Sequence, residues 1–378
     1  MYRLAIYCVL VLACFSACRE NYEPPPIQLA SSLLVVDGFI NNSSDTSFIR
    51  LSHTRKLTDG IRNAKEKNAR IYVEDLSGNI LYSFAELGDS GIYYVPGMNL
   101  SVNDNYRLRI INSAGRQYLS DNIPVLNTPG IDSISFGHRN KDFDVYVTTH
   151  DPDNLTRYYR WEYRETFQYR AAFYSTLMVN ENGILVDRPL DKYVYECWKT
   201  QNNTQILTSS NTQLSQDIIY RFPVRTIPVN SIELSIKYYI ALRQYALTKS
   251  AFEYLENLKK ITEETGSLFD AQPSQLEGNI HAIDNPGETV LGYMTASRPS
   301  FKDRFITNAE AQPWNYEPGC ARILVLPDDV ATAFSQSGLV PLYIEGGPFS
   351  FKGVWGTTPT CGDCTFLKGS TLRPGFWQ

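Results

Sequence analysis

The sequence predicts a mostly β protein: a sandwich-like first unit, then a larger β-rich unit with one α-helix. Three observations carry that prediction. Tyrosine is heavily used, at 25 residues, alongside Val, Ile and Thr, the types that fit a pleated, half-buried surface. Short alternating segments recur at roughly 8–12-residue spacing, separated by Gly, Asn and Ser turn signals. Only one stretch, near 249–265, holds a helical period. With 378 residues, 43% of them hydrophobic and 20% charged, the chain is long enough for two packed domains and is not globally disordered. A net charge of −5 without a long Lys or Arg run argues against nucleic acid as a partner.

The elements follow in order. Arg3, the apolar run Leu4 to Phe15, and the small residues Ser16 and Ala17 make residues 1–17 a signal peptide. The run is shorter than the roughly 20 residues a bilayer needs, and no later charge-free segment reaches that length. Cys18 directly after Ser16-Ala17 resembles the lipobox of bacterial lipoproteins, with Phe15 standing where Leu is usual. Cys14 is the second candidate, but the polar Arg19-Glu20-Asn21-Tyr22-Glu23 starts right after Cys18 and favours it. An ordinary secretory signal, leaving Cys18 for a disulfide, is the alternative. Lipidation at Cys18 would add acyl chains worth ~0.8 kcal/mol per buried CH₂, a lasting anchor. Residues 18–30, with Pro24-Pro25-Pro26, read as an extended tether. Arg19 is not the Asp that retains lipoproteins at the inner membrane in enteric bacteria, and Glu20 and Glu23 loosely resemble the early acidic surface-export signals of the Bacteroidota, so the expected place is the outer membrane, at the cell surface.

Residues 31–126 read as a β-sandwich. Leu34-Val35-Val36-Asp37-Gly38, Ser47 to Leu51, Ala69 to Asp75, Ile80-Leu81-Tyr82, Ile92-Tyr93-Tyr94, Tyr106 to Ile111 and Gln117 to Ser120 are its predicted strands. The second unit, 130–378, has predicted strands at Val145 to Val147, Tyr158 to Tyr163, Ile232 to Ile236 and Tyr238 to Tyr245. Its helix is capped by Thr248 or Ser250, with Ser250 and Glu253 as a capping box. Phe252, Leu255, Leu258 and Ile261 give its apolar face, and Gly266 its stop. Residues 267–292 read as an ordered loop leading to Tyr293. From Pro313 the chain reads as an extended tail packed on the body.

The chemistry-bearing motifs are few. Gly88-Asp89-Ser90-Gly91 copies the surroundings of a serine-protease nucleophile, but only His53 lies upstream of it and a turn explains it better. His150-Asp151-Pro152-Asp153-Asn154 clusters calcium-type oxygens, yet these are also turn residues. The four His are scattered and no phosphate loop exists. Glu263-Glu264 reads as a solvated helix face, and a glycosidase carboxylate pair has no local feature to recommend it. Cys197, Cys320, Cys361 and Cys364 remain after export and are disulfide candidates in one of three pairings. Cys361-Gly362-Asp363-Cys364 admits two further readings, a redox pair without its βαβ setting and a zinc site without its second C-x-x-C. The expectation is therefore no enzyme, no cofactor and no metal.

These residues resemble a known family. Tyr22 and the prolines after Cys18, Leu34-Val35-Val36-Asp37-Gly38, Ala69-Arg70-Ile71-Tyr72-Val73 and Tyr106-Arg107-Leu108 resemble domain-of-unknown-function family 4249 (DUF4249) of the Bacteroidota. So do Cys197-Trp198, Gln244-Tyr245-Ala246-Leu247, Gly266 to Ser274, Gly278-Asn279-Ile280, Leu291-Gly292-Tyr293 and the ending Cys361 to Cys364 with Pro374-Gly375-Phe376-Trp377. The first unit resembles a transthyretin- or immunoglobulin-like sandwich. The resemblance implies an outer-membrane lipoprotein, an accessory of a TonB-dependent transporter (a SusC-like barrel), active in capture of a peptide or other nutrient. It brings no catalytic residues. A surface hydrolase of peptides or glycans and a structural or adhesive surface protein are the rival expectations. Exposed Tyr and Trp would supply contact area.

Overall fold

A computed structural model describes residues 32–55, 64–263, 276–347 and 349–377. The signal peptide, Cys18, the tether, Glu264, Gly266 and the Gly266 to Ser274 segment lie outside the described residues. The protein is β-rich throughout, with few helices.

Ten strands open the fold: β1 (Leu34–Gly38), β2 (Ile40–Asn41), β3 (Ser47–His53), β4 (Ala64–Lys65), β5 (Arg70–Glu74), β6 (Ile80–Glu86), β7 (Ile92–Val95), β8 (Asn105–Ile111), β9 (Gln117–Ser120) and β10 (Ile123–Asn127). Period-2 alternation drives them. In β8, Tyr106, Leu108 and Ile110 are buried while Arg107 and Arg109 point outward. Turn chemistry joins them: Asp75 Oδ1 accepts from the Ser77 and Asn79 amides between β5 and β6.

The second unit follows with β11 (Ile131–Arg139), β12 (Asp142–His150), β13 (Tyr158–Arg170), β14 (Leu177–Val179), β15 (Leu185–Asp187), β16 (Glu196–Asn202), β17 (Leu207–Ser210), β18 (Ile218–Ile227), β19 (Lys237–Leu247) and helix α1 (Lys249–Glu263). Ile232 to Ile236 is not the strand its alternation suggested. A turn through Asn230, at φ 58°, redirects the chain into a 3-10 turn at Ile232–Leu234 that buries Leu234. Thr248 caps α1 by accepting from the Ala251 amide at 3.2 Å. Ser250 lies inside the helix and accepts from the Tyr293 hydroxyl at 2.7 Å, so no capping box forms there.

The expected loop over 267–292 is corrected by what comes next. β20 (Ile280–Ala282), β21 (Val290–Leu291) and β22 (Ala296–Arg298) return to the first unit. β20 pairs antiparallel with β9, β21 runs parallel to β1, and β22 runs parallel to both β10 and β2. They complete a thirteen-stranded sheet around one core, ten strands in a continuous path and β4, β9 and β20 paired off it. Ile280, Val290, Met294 and Ala296 sit in that core beside Leu34, Ile71 and Leu108. Two glycines permit the return. A Cβ on Gly278 would lie 1.9 Å from the Gly292 carbonyl oxygen, and one on Gly292, at φ 132°, would lie 2.0 Å from that of Val36.

β23 (Ser300–Thr307) then joins the second unit as the edge of a five-stranded sheet, β16-β13-β19-β23 with β17 also on β13. A three-stranded sheet, β11-β12-β18, faces it. Between them lie Val145, Val147, Trp161, Phe167, Tyr238 and Ile240. The tail is not merely extended. β24 (Ile323–Val325), α2 (Val330–Ser335), β25 (Val340–Glu345), β26 (Gly353–Thr357) and α3 (Pro359–Gly362) form a small third unit. It packs Val325, Phe334 and Val354 against Leu177 of the β14–β15 hairpin. Disulfides Cys197–Cys364 and Cys320–Cys361 select one of the three pairings. Each cysteine of the C-x-x-C therefore has a different partner, one tying the tail to β16 and one closing the third unit on itself.

Candidate functional site

An open cleft of about 850 Å³ lies between the first unit and the five-stranded sheet of the second. Strand register builds its floor. Across β13 and β19, Arg160 faces Tyr245, Glu162 faces Arg243 and Arg164 faces Ala241. Across β19 and β23, Arg243 faces Phe301. Alternation sends Trp161, Tyr163 and Leu242 into the core, so the polar set shares the opposite face. The chain leaves the sheet edge between β16 and β17. There the Tyr163 amide donates to Asn203 Oδ1 at 2.9 Å and the Asn203 amide donates to the Tyr163 carbonyl at 2.9 Å. That break brings Asn202, Asn203, Thr204 and Gln205 into the lining. The other wall is the first unit's, where Asp37 of β1 pairs across from Arg50 of β3 and Phe48 stands beside them.

The charges are unevenly matched. Glu162 is paired with Arg160 and accepts from the Tyr245 hydroxyl at 2.7 Å. Burial and the neighbouring Glu162 carboxylate raise the Tyr245 pKa, so this hydroxyl stays a donor at ordinary pH. Arg243 lies over the Phe301 ring at 4.7 Å and reaches Asp45 of the first unit at 3.8 Å. Arg50 and Arg164, both exposed, have no ion pair among the described residues. Phe48 and Phe301 are 51% and 53% exposed, large apolar faces left open at a polar cleft.

The motifs singled out from sequence lie elsewhere. Ser90 accepts from the Ile92 amide at 3.1 Å in the turn into β7, while His53 pairs with Glu66 at 2.6 Å. Asp151 spends its carboxylate on the amides of Asp153, Leu155 and Thr156, closing a turn, and His150 binds Asp132 at 2.8 Å. Glu263 accepts from the Ile206 amide at 2.7 Å. No group of three His, Cys, Asp or Glu among the described residues could hold a metal ion. The lining arginines were missed. Part of their signal was present as Arg160 and Glu162 at alternate positions of the predicted strand Tyr158 to Tyr163, which stopped one residue short of Arg164.

The sequence profile of a family described as "Domain of unknown function (DUF4249)" matches residues 19–302. The chain belongs to the DUF4249 family. The match ends inside β23, so the DUF4249 region holds the first unit and most of the second, including every cleft residue named above. Cys320, Cys361, Cys364 and the 374–377 ending lie beyond it, although the resemblance read from sequence extended to them. No curated protein matches the chain. Among solved structures, the chicken interferon gamma receptor alpha chain matches at 10% identity and a TM-score of 0.18, over 57% of this chain and 89% of that one. That score is too low to carry an argument about the fold.

Proposed function

We propose that this DUF4249 protein is a lipid-anchored lipoprotein of the outer membrane, displayed at the cell surface, that captures a ligand for a TonB-dependent transporter without turning it over. The inter-unit cleft carries the reading. Its volume of about 850 Å³ lies within the range of small-molecule sites, and walls from two different sheets supply its polar groups. The Ser16-Ala17-Cys18 lead and the Pro24 to Pro26 tether support the anchor. An alkyne fatty acid should label the parent protein in its host and fail to label Cys18→Ala; equal labelling removes the anchor. Affinity purification from detergent-solubilised membranes should recover a stoichiometric TonB-dependent barrel. Its absence turns the reading towards a structural or adhesive protein, and turnover of a peptide or glycan panel turns it towards a hydrolase.

A further inference from the structure

We infer that the cleft takes a small organic dianion, with acidic groups held by Arg50 and Arg164 and an apolar or aromatic body laid against Phe48 and Phe301. The inference rests on the capture reading and names its ligand. Four lining arginines, Arg50, Arg160, Arg164 and Arg243, face two lining carboxylates, Asp37 and Glu162, and Asp45 beyond the lining offsets Arg243 at 3.8 Å, which leaves an excess of one positive charge. The whole chain carries −5, so the cleft reverses the sign of the molecule around it. Such a reversal concentrates anions from solution. Glu162 is already satisfied by Arg160 and Tyr245, and Arg243 is spread over Phe301.

Arg50 and Arg164 remain, one on each wall, each presenting a planar fork that matches carboxylate or phosphate. A neutral ligand would leave both uncompensated. Arginine and aromatic side chains together are also the types enriched at the centres of binding surfaces. The half-exposed rings give the ligand's non-ionic part a place to lie, which a bare inorganic anion would not use.

The test is calorimetric titration of the detergent-purified mature protein with naphthalene dicarboxylate, naphthyl phosphate and the neutral naphthalene dicarboxamide. At least one anion should bind, and which one binds tells carboxylate from phosphate recognition. The diamide should bind at least about tenfold more weakly. Affinity for the anion should fall between about 50 and about 500 mM NaCl. Arg50→Gln and Arg164→Gln should each weaken it by about tenfold and leave the unfolding midpoint in place, because both side chains are exposed. Binding of neither anion, equal binding of the diamide, or parental affinity in the double variant overturns the inference. A protein that ignores the anions but still co-purifies with its barrel loses this inference and keeps the capture reading. One that binds the anions with no barrel does the reverse.

Discussion

The first unit packs mainly aliphatic side chains at its centre, with Leu34, Ile40, Ile49, Leu51 and Ile71 fully buried beside Tyr93 and Tyr118, whereas the second buries a larger aromatic set, Trp161, Tyr159, Tyr169, Tyr238 and Phe143. Both bury directed polar groups: in the first, Glu74 meets Arg109 at 2.7 Å and Asn42 bonds the Leu100 backbone, while the second builds a larger network. Glu165 receives Arg225 at 3.0 Å along with the Tyr238 hydroxyl and the Gln201 amide. Trp161 Nε1 donates to Gln244 Oε1 at 2.8 Å, and Gln244 donates on to the Pro129 carbonyl and Thr149. Burial, reinforced by Glu165, raises the Tyr238 pKa well above its usual value and keeps it a donor. The difference teaches how each unit fixes its register. Aliphatic contact is non-directional, so the first unit's register leans more on backbone pairing, including strands recruited from far along the chain, than on its few buried polar contacts. The second unit's buried hydrogen bonds define its arrangement locally, at the risk that losing one partner leaves another stranded.

That contrast can be broken most severely at Arg225. Arg225→Ala leaves Glu165 buried without its cation and should destabilise the second unit by about 3–5 kcal/mol, read by urea unfolding. All five Trp lie outside the first unit, at 161, 198, 314, 355 and 377, so tryptophan fluorescence reports this loss selectively. Replacing Glu165 and Arg225 together by Leu and Met should recover most of it; a double variant as weak as the single one contradicts the stranded-charge account.

Next in size is the Cys197–Cys364 bond, which spans 167 residues. The double Ala variant should lose about 2–5 kcal/mol in the same fluorescence transition. Methyl resonances of the first unit should stay unmoved.

Smaller again is Ile71→Val, which removes one methylene from the aliphatic core and should cost about 0.5–1.5 kcal/mol. It should be seen by methyl resonances and be silent in tryptophan fluorescence.

The smallest effect is a pH dependence. Burial raises the Glu66 pKa, but the Ser113 amide and hydroxyl and His53 outweigh it, leaving the carboxyl below its ordinary 4.5. Its stabilisation is therefore complete above about 4.5 and lost as pH falls through the lower folded value. Glu66→Gln should flatten the stability profile in that acid window, and an unchanged profile would contradict the assignment.

The strands with clear alternation, such as β8 and β19, were legible because one face of each is buried and the other is not. Helix α1 was legible from its period, and of its two predicted caps the structure uses Thr248, because the helix begins two residues earlier than a Ser250 cap requires. β20 to β22 were not legible. They are two or three residues long, too short to alternate, and their partners lie in another part of the sequence. Gly278 and Gly292, noticed only as family-like residues, turn out to be close backbone approaches. The cleft was half-legible. Arg160 sits at an outward position of a predicted strand that the structure extends through Arg164, but Arg50 reaches the same cavity only because the two units pack together.

The return of β20 to β22 has a consequence for how the chain is made. During synthesis β1, β9 and β10 leave the ribosome early and pair with β3 or β8 on one edge, yet the strand that covers the other edge of each follows only after α1. Until then the first unit to be made holds open edges, ready templates for pairing with other chains. Its closure is a non-local event, the slow kind. A nascent chain stopped short of Ile280 thus carries a finished-looking beginning that cannot close, and damage late in the gene is felt at the protein's amino-terminal end.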